Sequence, residues 1–535
     1  MAVLYGKVCK RGGQDWFCIP ACGTIFRMNT DITNDGVPPE PAGSSTGVAV
    51  ADAHREKKFF GQPWGLANLF GVEMWERFSF YGMQSILAFY LYYSVTDGGL
   101  GMDQAAALSI VGAYGGFVYM TSLVASFLAD RVFGSERTLF YSAIIVMAGH
   151  VALALIPGYV GLAIGLVLIG LGSGGVKTAA QVVLGQLYSR TDTRRDAGFS
   201  IFYMGVNIGG LFGPLITNAV WGWGGFHWGF GIAAIGMAAG LIQYVAMRKT
   251  TIGAAGHDIP NPLPKSEYPK WIGGTLAVVA IVVTLIATGV IRLEWLSNIT
   301  AAIALIAAVG LLVQMYASPL TIAAEKSRLL GFIPMFIGGV LFFAIFQTQF
   351  TVLAVYSDAR LDRNFLGIEL PPGLINSFNP IFIIIFSGIF ATLWTKLGSR
   401  QWSTAVKFGV ANIVIGCALF FFLPFAGGEA NSTPMLLIIW VYFLFTIAEL
   451  LLSPVGNSLA TKVAPQAFQS RMFAVWLMAV SMGTSLSGTL GGYYDPTNAD
   501  AEKTFFITVG VVTILIGLVI IASKNWVAKK FIDVR

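Results

Sequence analysis

Residues 66–94 read Leu66-Ala-Asn-Leu-Phe-Gly-Val-Glu73-Met-Trp-Glu76-Arg77-Phe78-Ser-Phe80-Tyr81-Gly82-Met-Gln84-Ser-Ile-Leu-Ala-Phe-Tyr-Leu-Tyr-Tyr-Ser94. The run is mostly apolar or aromatic over more than the ~20 residues a helix needs to cross a bilayer. Its three charges fall at i, i+3 and i+4 and so project from one helical face. Such a helix, too apolar for water and charged along one stripe, reads as a membrane span whose charges face protein.

Reading outward, further apolar runs predict spans near 104–129, 138–157, 161–188, 199–220 and 229–247. Two more fall near 271–291 and 297–318, then six near 329–356, 374–397, 403–424, 434–460, 468–492 and 503–523. With the opening run this makes fourteen spans in a six, two, six order. The composition agrees: 535 residues are 56% hydrophobic and 11% charged, with mean hydropathy +0.71, far from the ~25% charge of soluble domains. The expected fold is an all-α polytopic membrane protein. Residues 1–60 form a disordered cytoplasmic tail and 61–247 the first six-helix bundle. Residues 248–328 form a linker with an inserted hairpin, 329–523 the second six-helix bundle, and 524–535 a cytoplasmic tail. The hairpin holds no ionisable group within its spans and is expected to be structural, outside the working core.

Charge placement sets an expected orientation. With both termini inside, twenty-seven Lys and Arg fall on the cytoplasmic side and four (Arg292, Arg360, Arg363, Lys503) outside, the asymmetry of the positive-inside rule. The net charge of +6 then calls for no nucleic-acid partner. Cys9, Cys18, Cys22 and Cys417 make neither a disulfide framework nor a zinc set. No signal peptide is read at the start. No cofactor or metal is expected, and no interfacial cluster of His, Cys, Ser or Asp suggests an enzyme.

Five ionisable groups remain inside spans: Glu73, Glu76, Arg77, Lys177 and Glu449. Each costs about 2.5–3.5 kcal/mol at a helix centre on insertion scales, which marks an ion relay, a substrate site or an internal ion pair. Glu73 and Arg77 are spaced to pair. Two acids beside one guanidinium leave a carboxylate uncompensated, the makings of a proton site. Lys177 sits in Gly170-Leu-Gly-Ser-Gly-Gly-Val-Lys177-Thr178, close to a phosphate loop but with Val176 before the lysine and inside an apolar span. Those glycines are expected to permit close helix packing instead. Glu449 precedes Ser453-Pro454, where proline frees a backbone carbonyl. Asn207, Asn379, Tyr119 and Tyr203 add polar groups that singly read as helix-packing contacts, and His150 reads as a satisfied buried histidine.

Glu73-Met-Trp-Glu76-Arg77-Phe78-Ser-Phe80-Tyr81-Gly82 closely resembles the ExxERFxYYG motif of the proton-dependent oligopeptide transporter (POT/PTR) family of the major facilitator superfamily. Phe202-Tyr203-Met-Gly-Val-Asn207-Ile-Gly209 resembles its second motif, and Ala129-Asp130-Arg131, Asn379-Pro380 and Glu449-Leu-Leu-Leu-Ser453-Pro454 match others. The resemblance implies symport of protons with di- and tripeptides by alternating access, in a plasma (inner) membrane. It implies proton coupling at Glu73, Glu76 and Arg77. Arg77, Lys177, Tyr119 and Tyr203 would serve the peptide's carboxylate end, and Asn207, Asn379 and Glu449 its amino end. Tyr81, Ser453 and Trp476 complete the expected substrate site. The expected partners are small peptides, protons and the lipid bilayer, for a monomer. Gln84 and Gln347 stand where the family commonly carries an arginine and a glutamate, so they are expected to meet as a neutral outer gate, with Lys177 and Glu449 as the inner one. The alternative is a relative carrying another small anion or zwitterion, such as nitrate or a peptide-like drug.

Overall fold

The computed structural model describes residues 58–532 except 190, 191, 193, 254, 260 and 366, together with the strands Lys7–Arg11, Gln14–Cys18 and Phe26–Arg27. Within the stretch expected to be structureless, those strands form an antiparallel sheet in which Lys7 faces Cys18 and Trp16 faces Arg27. Cys22, Arg190 and Arg535 lie outside the described residues.

Six helices come first: α1 (Gly65–Tyr92), α2 (Gln104–Leu128), α3 (Ser135–Leu155), α4 (Gly158–Gln186), α5 (Arg195–Gly224) and α6 (Phe226–Thr251). The hairpin is α7 (Tyr268–Ala287) and α8 (Leu296–Ala317). The second half holds α9 (Ala323–Phe346), α10 (Val352–Ala359), α11 (Phe378–Leu397), α12 (Thr404–Phe420), α13 (Met435–Lys462), α14 (Gln469–Gly491) and α15 (Ala499–Ala522), and α16 (Lys524–Phe531) ends it. Among the described residues, twelve helices are long and apolar enough to cross a membrane, against fourteen expected. The other two are helical but outside that set: α1 carries the three charges of its stripe, and not every side chain of α7 is described. The chain is a multi-pass membrane protein.

Local chemistry explains the helix limits. The Asp103 carboxylate caps α2 by accepting from the Ala105 and Ala106 amides at 3.0 and 3.3 Å, which satisfies donors that a helix start leaves free. Gly134 and Gly225 take φ of 79° and 86° between consecutive helices, values that residues with a Cβ rarely adopt. Pro214, Pro334 and Pro454 lie inside α5, α9 and α13.

In the first half α1 packs on α5 and α6, and α4 on α2 and α3; in the second, α12 packs on α13 and α15, and α9 on α14. The glycines before Lys177 do serve packing. A Cβ at Gly172 would meet the Ser142 carbonyl of α3, and one at Gly174 would meet Ser122 and Thr121 of α2. The motif is an unbroken part of α4, so it forms no phosphate loop.

The halves meet along α2 and α14, where Gly112 lies against Gly488, and along α5 and α11. The hairpin touches both. The Ser297 amide donates to Ser109 Oγ on α2 at 3.1 Å, and Thr489 Oγ1 on α14 donates to Asn298 Oδ1 at 2.9 Å. It is therefore built into the seam between the halves, and Leu311 of α8 reaches the central cavity.

Burial of charge extends beyond the five groups read from the sequence. Glu136, at the start of α3, is fully buried and accepts from Tyr244 OH at 2.8 Å and pairs with Arg248 at 2.6 Å. Its own amide donates to the Gly256 carbonyl at 2.9 Å, which ties the linker to the first half. Glu502 is likewise buried and takes Arg360, Tyr494 OH and the Gly427 amide.

Candidate functional site

A cavity of ≈ 1340 Å³ lies between the halves. Its walls are helical stripes at four-residue spacing, the period that keeps side chains on one face. Arg195, Phe199, Tyr203 and Asn207 come from α5; Glu449, Ser453, Asn457 and Thr461 come from α13. The mouth lies at the ends of α2, α4 and α13 and at the starts of α5 and α14, where Asp130, Tyr188, Thr461 and Arg471 line it. The opposite end is shut. There the Tyr81 and Phe350 rings stack across the halves at 6.4 Å, and Gly373 sits so close to α1 and α5 that a Cβ would meet the Ser85 carbonyl and Asn218.

At the blind end of the cavity, α1 presents its charged stripe. Arg77 Nε lies 3.3 Å from Glu73 Oε1 and Arg77 Nη2 pairs with Glu76 Oε2, so one guanidinium holds both acids rather than the expected one. All three side chains are buried. The guanidinium also lies over the Phe80 and Tyr81 rings at 5.2 and 5.9 Å, within cation–π range. Lys177 reaches from α4 and places Nζ 4.2 Å above the Tyr119 ring.

From the other half, Glu449 Oε2 accepts from Asn379 Nδ2 at 2.9 Å, and the same amide nitrogen donates to Thr446 Oγ1 at 3.1 Å. Asn207 turns its amide back to the Tyr203 carbonyl at 2.9 Å within α5. Trp476 lines the cavity but is 1% exposed. Its Nε1 donates to Asn457 Oδ1 at 2.7 Å, and its ring fills the space beside Gly456 and Gly339. The structure thus gathers Glu73, Arg77, Tyr81, Tyr119, Lys177, Tyr203, Asn207, Gln347, Asn379, Glu449, Ser453 and Trp476 around one cavity. Glu76 sits behind Arg77 and does not line it.

The two expected gate pairs are not joined in this conformation. Lys177 and Glu449 face the same cavity from opposite halves, one over Tyr119 and the other on Asn379. Gln84 and Gln347 line a small cavity of ≈ 10 Å³ with Arg77, Tyr119 and Lys177, about the space of one water. Gln347 donates to Thr484 Oγ1 within its own half at 3.3 Å. His150 is buried with neither ring nitrogen bonded, contrary to the expectation of a satisfied histidine.

Sequence reasoning missed Asn457, Thr446, Arg195 and Arg471. The signal for the first was present: Asn457 continues the stripe Glu449–Ser453 by one more turn.

The model of the POT family matches residues 136–507. The chain belongs to the POT family. A di-/tripeptide transporter of Lactococcus lactis subsp. lactis is 37% identical over 497 residues, covering 90% of this chain and 99% of that one. YclF, a transporter of Bacillus subtilis (strain 168), is 41% identical over 465 residues, 86% of this chain and 94% of its own. Among solved structures, a peptide transporter POT in complex with sulfate superposes on this POT-family chain with TM-score 0.86 at 37% identity. That match covers 91% of this chain and 99% of the other. A POT family transporter in complex with 5-aminolevulinic acid does so with TM-score 0.83 at 35% identity, covering 88% and 98%.

Proposed function

We propose that this POT-family chain is a proton-coupled symporter that carries di- and tripeptides into the cell by alternating access. One observation carries the reading. The cavity offers Arg77 and Lys177 from one half and Glu449 from the other, with aromatic walls between. A peptide backbone is a zwitterion whose ends have fixed charge and whose side chains vary, and it fits between opposite charges in an apolar-walled cleft. Arg77, Lys177, Tyr119, Tyr203 and Tyr81 take the carboxylate end; Asn207, Asn379, Glu449 and Ser453 take the amino end, with Trp476 as wall. Glu73 and Glu76 bind the coupled proton beside Arg77. The halves are the bundles 61–247 and 329–523, with the hairpin adding two of fourteen spans. Both termini face the cytoplasm, so the cavity mouth opens inward and the closed end faces outside the plasma membrane.

The test is uptake of a labelled dipeptide into proteoliposomes with and without a proton gradient. Accumulation above equilibrium under the gradient alone is expected, and its absence overturns the reading. A second reading, transport of another small zwitterion, is favoured by the 5-aminolevulinic acid held by the 35%-identical relative. It requires that such a compound accumulate where dipeptides do not.

A further inference from the structure

The closed end of the molecule holds a contact outside the substrate site. Tyr92, the last residue of α1, donates its phenol to Asp358 Oδ2 at 2.8 Å; Tyr93, the next residue, donates to Asp358 Oδ1 at 2.7 Å. Asp358 lies at the end of α10 in the other half, so one carboxylate is shared by two phenols across the seam. Arg363, five residues after Asp358, is engaged with Glu369 at 3.0 Å and the Leu370 carbonyl at 3.1 Å. The phenols are held ready by packing: the Tyr92 and Tyr93 rings meet edge to face at 5.3 Å, and Tyr93 also packs on Trp221 and Phe226. Among the described residues, two neighbouring hydrogen bonds across the same seam are uncharged. Gln104 Nε2 donates to the Tyr494 carbonyl at 3.0 Å, and Ser377 Oγ to the Leu211 carbonyl at 3.2 Å.

We propose that Asp358 is the outer gating residue of this transporter, and that Tyr92 and Tyr93 hold it as a latch that must release before the closed end opens. The proposal rests on the alternating-access reading above. Hydrogen bonds to a charged acceptor are roughly twice as strong as neutral ones, so this contact outweighs either neutral neighbour. Both states are chemically complete. Closed, the carboxylate has a phenol on each oxygen; open, the carboxylate and both phenols face water. No buried polar group is orphaned in either, which is what a two-state element requires. Gln84 and Gln347 leave this role vacant, since Gln347 bonds within its own half.

The test uses the full-length chain in proteoliposomes, its four native cysteines replaced by serine, with spin labels at the exposed closed-end positions Val95 and Ile368. Tyr92→Phe and Tyr93→Phe should each raise the population of the longer distance about tenfold, the size expected for one charged hydrogen bond. Asp358→Ala should match the double phenylalanine variant and should add nothing when combined with it. Unchanged distances in the double variant overturn the latch. So does an Asp358→Ala effect that persists without the phenols. Asp358→Asn keeps the side-chain size and one acceptor and should give an intermediate shift, which serves if the alanine variant fails to fold. Dipeptide uptake provides the second readout: latch loss should lower KM from outside while slowing turnover, whereas a merely damaged fold lowers turnover alone. If the parent moves no peptide, the transport reading fails while the distance comparison still decides the latch.

Discussion

Arg77 holds two carboxylates at once, and the proposed proton site rests on that sharing. One acid neutralises the guanidinium; the second is a buried group that must share that cation. Glu73→Gln or Glu76→Gln should abolish gradient-driven accumulation of dipeptide while sparing exchange at equal concentrations on both sides. Normal concentrative uptake by both variants would remove these acids from coupling. Lys177, over Tyr119, has no hydrogen-bond partner among the described residues and is the proposed partner of a peptide carboxylate, and a charged hydrogen bond is worth about 1.5–3 kcal/mol. Lys177→Ala should therefore raise KM for dipeptides by about tenfold or more, and the charge exchange Lys177→Glu with Glu449→Lys should restore part of the transport. An unchanged KM in Lys177→Ala refutes its role in binding.

Among the elements, α3 and the linker depend on one buried acid. Glu136 is held by Arg248 and Tyr244 and through its amide by Gly256, and removing one partner of a buried ion pair costs about 3–5 kcal/mol. Glu136→Ala should lower the melting temperature in detergent and expose residues 252–264 to protease. A variant with parental melting and an intact linker would contradict this. That lock also shows where sequence reading stops. Helix positions were legible because twenty-residue apolar runs and in-span charges are strong signals. The stripe Glu73, Glu76, Arg77 was legible because helical period alone puts it on one face. Glu136 was read past as a loop charge, since its burial depends on α6 and the linker folding over it. Asp358 and the tyrosines at the end of α1 are invisible for the same reason: their partner lies more than 260 residues away. Gln84 and Gln347 came out near one another but unpaired, because Thr484 offers Gln347 a partner that spacing along the chain does not reveal.

At the scale of the whole molecule, the cavity is open at one end only, and chemical access should report it. Thr461→Cys at the exposed mouth should react with a membrane-impermeant maleimide from the mouth side and be protected by dipeptide, while Ser85→Cys at the sealed end should not react. Equal labelling of both would mean the resting state differs from this one. Installing Gln84→Arg with Gln347→Glu should add a charged bond beside the Tyr81–Phe350 stack and make opening of that end depend on pH, read from spin-label distances between acid and neutral conditions. Identical distributions in parent and double variant would sink that expectation. The one-sided cavity has an electrical consequence. A water-filled vestibule conducts ions, so the membrane voltage falls mainly across the thin dry layer between Gln347 and Asp358 rather than over the full bilayer. In the proposed alternating access, Arg77, Glu73 and Lys177 scarcely move while the field sweeps past them as the dry layer shifts to the other side. Over a full cycle these resident charges cross the field and cross back, so under the proposed symport only the coupled proton, worth about 2.3 kcal/mol per 100 mV, ties a neutral peptide to the membrane voltage.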